Sequence, residues 1–449
     1  MTALVFMKCV LMLVTLASSS PVEESPALTV VKLERTSIIL PQTAERAGKH
    51  KNFYSAKLSV GTPRQDFNVF FDLEGGTMVL PSQGCTDPAC LERHRYNKWS
   101  SETAEDIQAD GRLVEPKARK TLLRRRDRGT LDLDSIDVGP GKVAGNFIRD
   151  EVCVAGKRCF PLAFLAADKM SDMPFLTEPY DGAVGLGLRG MSVSLEFNFL
   201  TAFVNGHYAG AMTRNSFGLH IGNEEDGGEI TLGGYDVNRL THPLKWASVV
   251  DPQEGRWQIM VSSIRIGNTT LDACRHQKCR AALDYSSSLL GVPTSLVDGV
   301  QNTLASLAAP HGFGDGCQML AMPEISLQLT DDFTITLPPE DYLSDFGTRK
   351  SLISKPSCEP RVSHHHAEEN LGRDVFILGE SVMRRYYTFF DANALQVGFS
   401  LAGSQSKPQS LVAGGEEDQK KEASTTETQT IFLVQVNVIK TKMMTPLDF

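Results

Sequence analysis

Two aspartates stand out by the residues around them. In VFFDLEGGTMVLPS, Val69–Ser82, an apolar run ends on Asp72, and a second acid, Glu74, and two glycines follow before a proline closes the segment. The same shape returns 212 positions on as RAALDYSSSLLGVP, Arg280–Pro293, where the run ends on Asp284. A repeat at that distance predicts two related lobes, each presenting one aspartate. A pair of carboxylates is the equipment of general acid–base chemistry.

The elements that must carry these residues are strands. From Phe53 the stretch NFYSAKLSVGTPRQDFNVFFDL alternates apolar and polar residues and is broken by Gly61 and Pro63, as in a hairpin. Segments of similar character continue to about residue 402. The clearest helical pattern is PTSLVDGVQNTLASLAA, Pro293–Ala309, with proline at its start and apolar residues at helical spacing. At 449 residues the chain is long enough for two domains with separate cores. The net charge of −9 gives no footing for nucleic acid.

The first twenty residues, MTALVFMKCVLMLVTLASSS, read as a secretory signal over 1–19, with an apolar core from Cys9 to Leu16 and cleavage before Ser20. The alternative, a membrane anchor, meets an apolar stretch too short to span a bilayer. Residues 20–52 read either as a short pro-segment or as an N-terminal strand. Removal of the signal leaves eight cysteines, Cys85, Cys90, Cys153, Cys159, Cys274, Cys279, Cys317 and Cys358. An even number with three close pairs suits small disulfide loops and one wider staple in an oxidising compartment, against free thiols or a zinc site. The sequon at Asn268 is a glycan acceptor if the chain is exported.

From Phe53 to Ala402 the chain resembles the pepsin-like aspartic peptidases, the group of pepsin and cathepsin D. The matching stretches occur in order: YSAKLSVGTPRQDFNVFFD, YDGAVGLG, GEITLGGYD, EGRWQIMVSSIRIGN and FILGESVMRRYYTFFDANALQVGFSLA. The resemblance implies an all-β bilobal fold, with lobes over 53–235 and 236–402 and a cleft between them. It implies the disulfides Cys85–Cys90, Cys274–Cys279 and Cys317–Cys358, which leaves Cys153 and Cys159 as a fourth. It also implies peptide hydrolysis by a water held between Asp72 and Asp284. Carboxylates that close cannot both ionise, so they share a proton and their pKa values split. No cofactor or metal is called for, and a monomer is expected.

The surroundings of the aspartates depart from that pattern. Each family loop reads Asp-Thr-Gly or Asp-Ser-Gly, whose hydroxyl bonds across to the other loop and whose glycine lets the backbone approach the carboxylate. Here Leu73 and Tyr285 stand at the hydroxyl positions and Glu74 and Ser286 at the glycines. Leu73 has no donor, the Tyr285 hydroxyl is expected to lie several ångströms too far out, and a Cβ at 74 or 286 is expected to crowd the loop. A buried Glu74 would raise a pKa of the pair or stay protonated. In the flap, SIDVGPGKVAG puts Val138 at the tyrosine position before Gly139 and Gly141. Losing one positioned donor costs a factor on the order of 10 to 1000 in rate, so an impaired peptidase with a cleft for a peptide or protein ligand is favoured. An active acid endopeptidase and a secreted structural protein are the alternatives. Secretion is expected, with a lysosome-like compartment as the other address.

Other features are read as surface or core. The basic stretch 112–129 is a solvated loop, against a processing site or anion patch. The histidines of SHHHAE, Ser363–Glu368, point different ways and make a surface tract. Residues 403–449 form a polar, low-complexity tail.

Overall fold

Alternation along one short strand places the first aspartate. In Gln65–Asp72, Phe67, Val69 and Phe71 are buried while Asp66 is exposed, the period-two pattern of a strand with one face in the core. Phe70 is buried as well, so the strand enters the interior before it reaches Asp72. The computed structural model describes residues 28–39, 50–115, 134–138, 141–206, 214–222, 227–271, 274, 279–288, 290–308, 322–330, 333–345, 358–360, 362–364, 371–372 and 374–403. The signal segment, most of the basic stretch, Gly139, Cys317, His365 and His366, and the tail beyond Gly403 lie outside these residues.

The fold is mostly β. Gln65–Asp72 runs parallel to Gly182–Gly185, with Asp72 opposite Gly185. Gly182–Gly185 is flanked on its other side by Met78–Pro81, antiparallel at Val79 and Ala183, and Met78–Pro81 runs parallel to Arg158–Met170. The second half repeats these pairings one for one. Arg280–Leu283 runs parallel to Val375–Leu378, that strand pairs antiparallel with Leu290–Val292 at Gly291 and Ile377, and Leu290–Val292 runs parallel to Val362–His364. Each aspartate therefore follows a strand that is paired in parallel with the strand returning beneath its loop.

A sheet of 14 strands joins the two halves. In it Thr29–Ile39 lies between Gly228–Leu232 and His50–Val60, with Val31 and Leu33 buried, while Tyr386–Asp391 from the chain's end pairs with Ser216–Ile221. Thr29–Ile39 is thus a strand of the central sheet. Polar side chains also cross the halves: buried Glu380 accepts from Asn52 Nδ2 at 2.8 Å and from Tyr54 Oη at 2.7 Å, and Trp257 Nε1 donates to the Leu186 carbonyl at 2.9 Å.

The helix expected from Pro293 spans Thr294–Ala308. Among the described residues three disulfides are formed, Cys85–Cys90, Cys153–Cys159 and Cys274–Cys279. The Cys153–Cys159 bond joins directly opposed residues of a long hairpin. The expected Cys317–Cys358 bond involves a residue outside the described ones. Among the described residues no helix is long and apolar enough to cross a membrane.

Candidate active site

Both aspartate-bearing loops hold their carboxylate by main-chain donors. Glu74 N donates to Asp72 Oδ1 at 2.9 Å, and Ser286 N donates to Asp284 Oδ1 at 2.8 Å. Leu186 N donates to the Asp72 carbonyl at 2.7 Å and fixes the loop on the strand below. A Cβ at 74 or 286 does not break this arrangement, contrary to expectation. The two residues that follow Glu74 are tighter: a Cβ on Gly75 would lie 2.5 Å from Asp72 Oδ2, and one on Gly76 would lie 2.2 Å from the Met191 carbonyl carbon. Gly185 serves the same end from below, since a Cβ there would lie 2.5 Å from the Gly75 carbonyl oxygen.

Tyr285 corrects a second expectation. Its ring is buried, tilted against Phe70 at 5.1 Å between centroids and edge-on to Tyr54 at 6.1 Å. Its hydroxyl is not out of reach, for it donates to the Phe71 carbonyl at 2.5 Å, across from the second lobe to the residue before Asp72. The larger ring spans a gap that a small hydroxyl residue would have to meet at closer approach. Leu73 is buried and offers no donor in return.

Asp72, Glu74, Asp284 and Ser286 share one cavity of about 190 Å³. Phe53, Phe70, Phe175 and Tyr180 give it apolar walls, and Lys51, Arg93 and Glu178 add charge. Burial pushes Asp72 up to about 7, with further upward pressure from Asp284 and Glu178, against the main-chain donors of Glu74 and Gly75. Burial also raises Asp284, opposed by the Ser286 donors and the charge of Lys51. Glu74 is driven well above the ordinary carboxylate range by burial and then by the charges of Asp284 and Asp72, with Arg256 in weak opposition. Glu74 lines the cavity as a third carboxyl group, and its Oε1 is buried with no hydrogen-bond partner among the described residues.

At the positions expected for the flap, Asp134–Val138 pairs with Gly141–Val154 in a hairpin that closes with Val138 opposite Gly141. Val138 lines the cavity, and a Cβ on Gly141 would lie 2.6 Å from the Phe175 ring. A different tyrosine reaches the site. Tyr180 is buried and stacked on Phe70 at 5.4 Å, and burial first and then Glu178 push its hydroxyl pKa up. Sequence reasoning placed Tyr180 only within a motif and passed over Glu178 and Arg93, which carry no local signal. Lys51 falls within residues 20–52, read from sequence only as a pro-segment or a strand. Asn268 is exposed in the turn between Ser263–Ile266 and Thr269–Leu271. Among the described residues the one trio of ligand-type atoms close enough to hold a metal is Glu151, Cys153 and Cys159, and its two sulfurs are bonded to each other.

Comparison with known proteins agrees with this geometry. A family model for eukaryotic aspartyl protease matches residues 53–113 and 126–402. Cathepsin E of Aquarana catesbeiana is 26% identical over 358 residues, 77% of this chain and 79% of the relative. Pepsin II-2/3 of Oryctolagus cuniculus is 27% identical over 354 residues, 78% and 81% of the two chains, and gastricsin of Homo sapiens is 25% identical over 353 residues with the same shares. Two strand-loop-strand units, each delivering an aspartate to one cleft, together with a match over most of the sequence, lead to one conclusion: the chain belongs to the eukaryotic aspartyl protease family and is a pepsin-like aspartic peptidase by descent.

Proposed function

We propose that this chain is a secreted, pepsin-like homologue whose cleft binds peptides and whose hydrolytic step is impaired. One observation carries the reading: the carboxyl group of Glu74 lies in the same cavity as Asp72 and Asp284. A two-aspartate mechanism needs one carboxylate ionised as base and one protonated in support of the substrate carbonyl. With all three groups raised, acidic conditions protonate the set and leave no base. Glu74 also takes up space and hydrogen-bonding capacity beside the pair.

A second reading has its own support. The Tyr285–Phe71 bond and the main-chain donors keep both loops in order, so an active endopeptidase would work toward neutral pH, where Asp72 ionises. Pepstatin separates the two, because its hydroxyl requires a pair that shares one proton. The impaired reading expects weak pepstatin binding in acid, measured by calorimetry; tight binding there would sink it. The eight cysteines after the signal, the three bonds formed and the exposed sequon at Asn268 suit an exported, glycosylated monomer.

A further inference from the structure

Buried carboxyl groups in this fold are answered by donors. Glu380 has Asn52 and Tyr54, Asp181 has the main-chain N–H groups of Asn68 and His94, Asp150 has Tyr96 and Thr103, and Glu229 has Arg239. Glu74 is the exception: it lines the cleft, and its Oε1 is buried with no hydrogen-bond partner among the described residues. Leaving such a group unanswered costs free energy unless a ligand supplies the partner.

The cavity's own cations do not supply it. Arg93 spends its guanidinium on the main-chain carbonyls of Ala89, Phe175 and Glu178. Lys51 Nζ lies over the Phe53 ring, 4.8 Å from its centroid. Arg256 bears on Glu74 only through its field, with no hydrogen bond between them. The carboxyl groups of Asp284 and Asp72 bear on Glu74 more strongly than Arg256 does. The aromatic walls beside it suit an alkyl stem that carries a charge at its tip.

We propose that Glu74 is a specificity-determining residue that receives the ammonium or guanidinium of a lysine or arginine side chain on a bound peptide. The inference rests on the reading of the cleft as a peptide site and names the class of peptide it takes: cationic at one position, and not acidic there. The Lys or Arg head meets the carboxyl group of Glu74 while its stem lies on Phe70 and Tyr180, which line the same cavity.

The test uses the full chain near neutral pH and fluorescein-labelled peptides that differ at one scanned position, carrying lysine, norleucine or glutamate. Anisotropy should show the lysine peptide binding about tenfold or more tighter than the norleucine peptide at one position, the scale of a charge-assisted hydrogen bond, with glutamate weakest. Glu74→Gln, matched in shape, should collapse that ratio toward one, with a thermal melt as the folding control. Equal affinity for lysine and norleucine at every position would overturn the inference and leave the peptide cleft standing. Binding of none of the peptides would overturn both. A lysine preference that survives Glu74→Gln would move the recognition to another carboxylate and overturn the assignment.

Discussion

The hydroxyl of Tyr285 stands 2.5 Å from the carbonyl oxygen of Phe71, so a side chain of the second lobe holds the strand that delivers Asp72. The tie is one-sided, since buried Leu73 returns no bond. The loops are thus linked by half of a reciprocal arrangement, carried on a ring that also packs against Phe70 and Tyr54.

Tyr285→Phe keeps the ring and removes the bond. Leaving the Phe71 carbonyl unanswered in the interior should cost about 1–3 kcal/mol, seen as a Tm lowered by several degrees in calorimetry. An unchanged Tm would mean that the bond contributes nothing.

Two glycines should respond in opposite senses to alanine. At Gly75 the new Cβ would lie 2.5 Å from Asp72 Oδ2, so Gly75→Ala should displace the carboxylate and lower Tm. Gly299 lies inside the helix Thr294–Ala308 with no atom within 4 Å of an added Cβ, so Gly299→Ala should stabilise by roughly 0.5–1 kcal/mol. Denaturant midpoints for the pair check both directions.

Raised carboxyl pKa values give stability a definite slope. Asp72 moves from an ordinary 3.8 to about 7 in the folded chain, and Glu74 and Asp284 move the same way. The folded state holds these protons more tightly than the unfolded one. Their contribution is therefore complete below pH about 4 and is lost as pH rises toward about 7. Asp72→Asn should raise Tm near neutrality and change it little in acid. A wild-type Tm contribution that grows over the same window would contradict the assignment.

Glu229 slopes the other way. It is buried, bonded to Arg239 at 2.8 and 2.9 Å and paired with Lys32 of the N-terminal strand, and these partners overcome its burial and hold it down to about 2. Its contribution is present above pH about 4.5 and is lost as pH falls toward 2. Glu229→Gln leaves Arg239 without its counter-charge and should cost on the order of 3 kcal/mol. Hydrogen exchange should quicken across Thr29–Ile39, the strand that Lys32 anchors; unchanged protection there would disprove the link.

Much of this was legible in the sequence, for local reasons. The repeat around Asp72 and Asp284 shows because each lobe needs an apolar strand, a small-residue loop and a stop, all contiguous. The helix from Thr294 shows by its period. The reach of Tyr285 was misjudged because it depends on the gap between lobes, which no local pattern encodes. Glu74 was flagged by position, but which loop residue lies against the carboxylate is a matter of Cα direction, and that residue is Gly75. Glu178, Arg93 and Lys51 come from three separate segments and meet only in the folded chain.

The central claim is that Glu74 beside the aspartate pair suppresses hydrolysis in a cleft that still binds peptides. The most direct measurement is cleavage of a broad peptide library across acid to neutral pH, with and without pepstatin, for the wild type and for Leu73→Thr combined with Glu74→Gly. The wild type should show no pepstatin-sensitive cleavage in acid, and the double variant should gain cleavage. Pepstatin-sensitive cleavage by the wild type in acid would contradict the claim and make this chain a working aspartic endopeptidase.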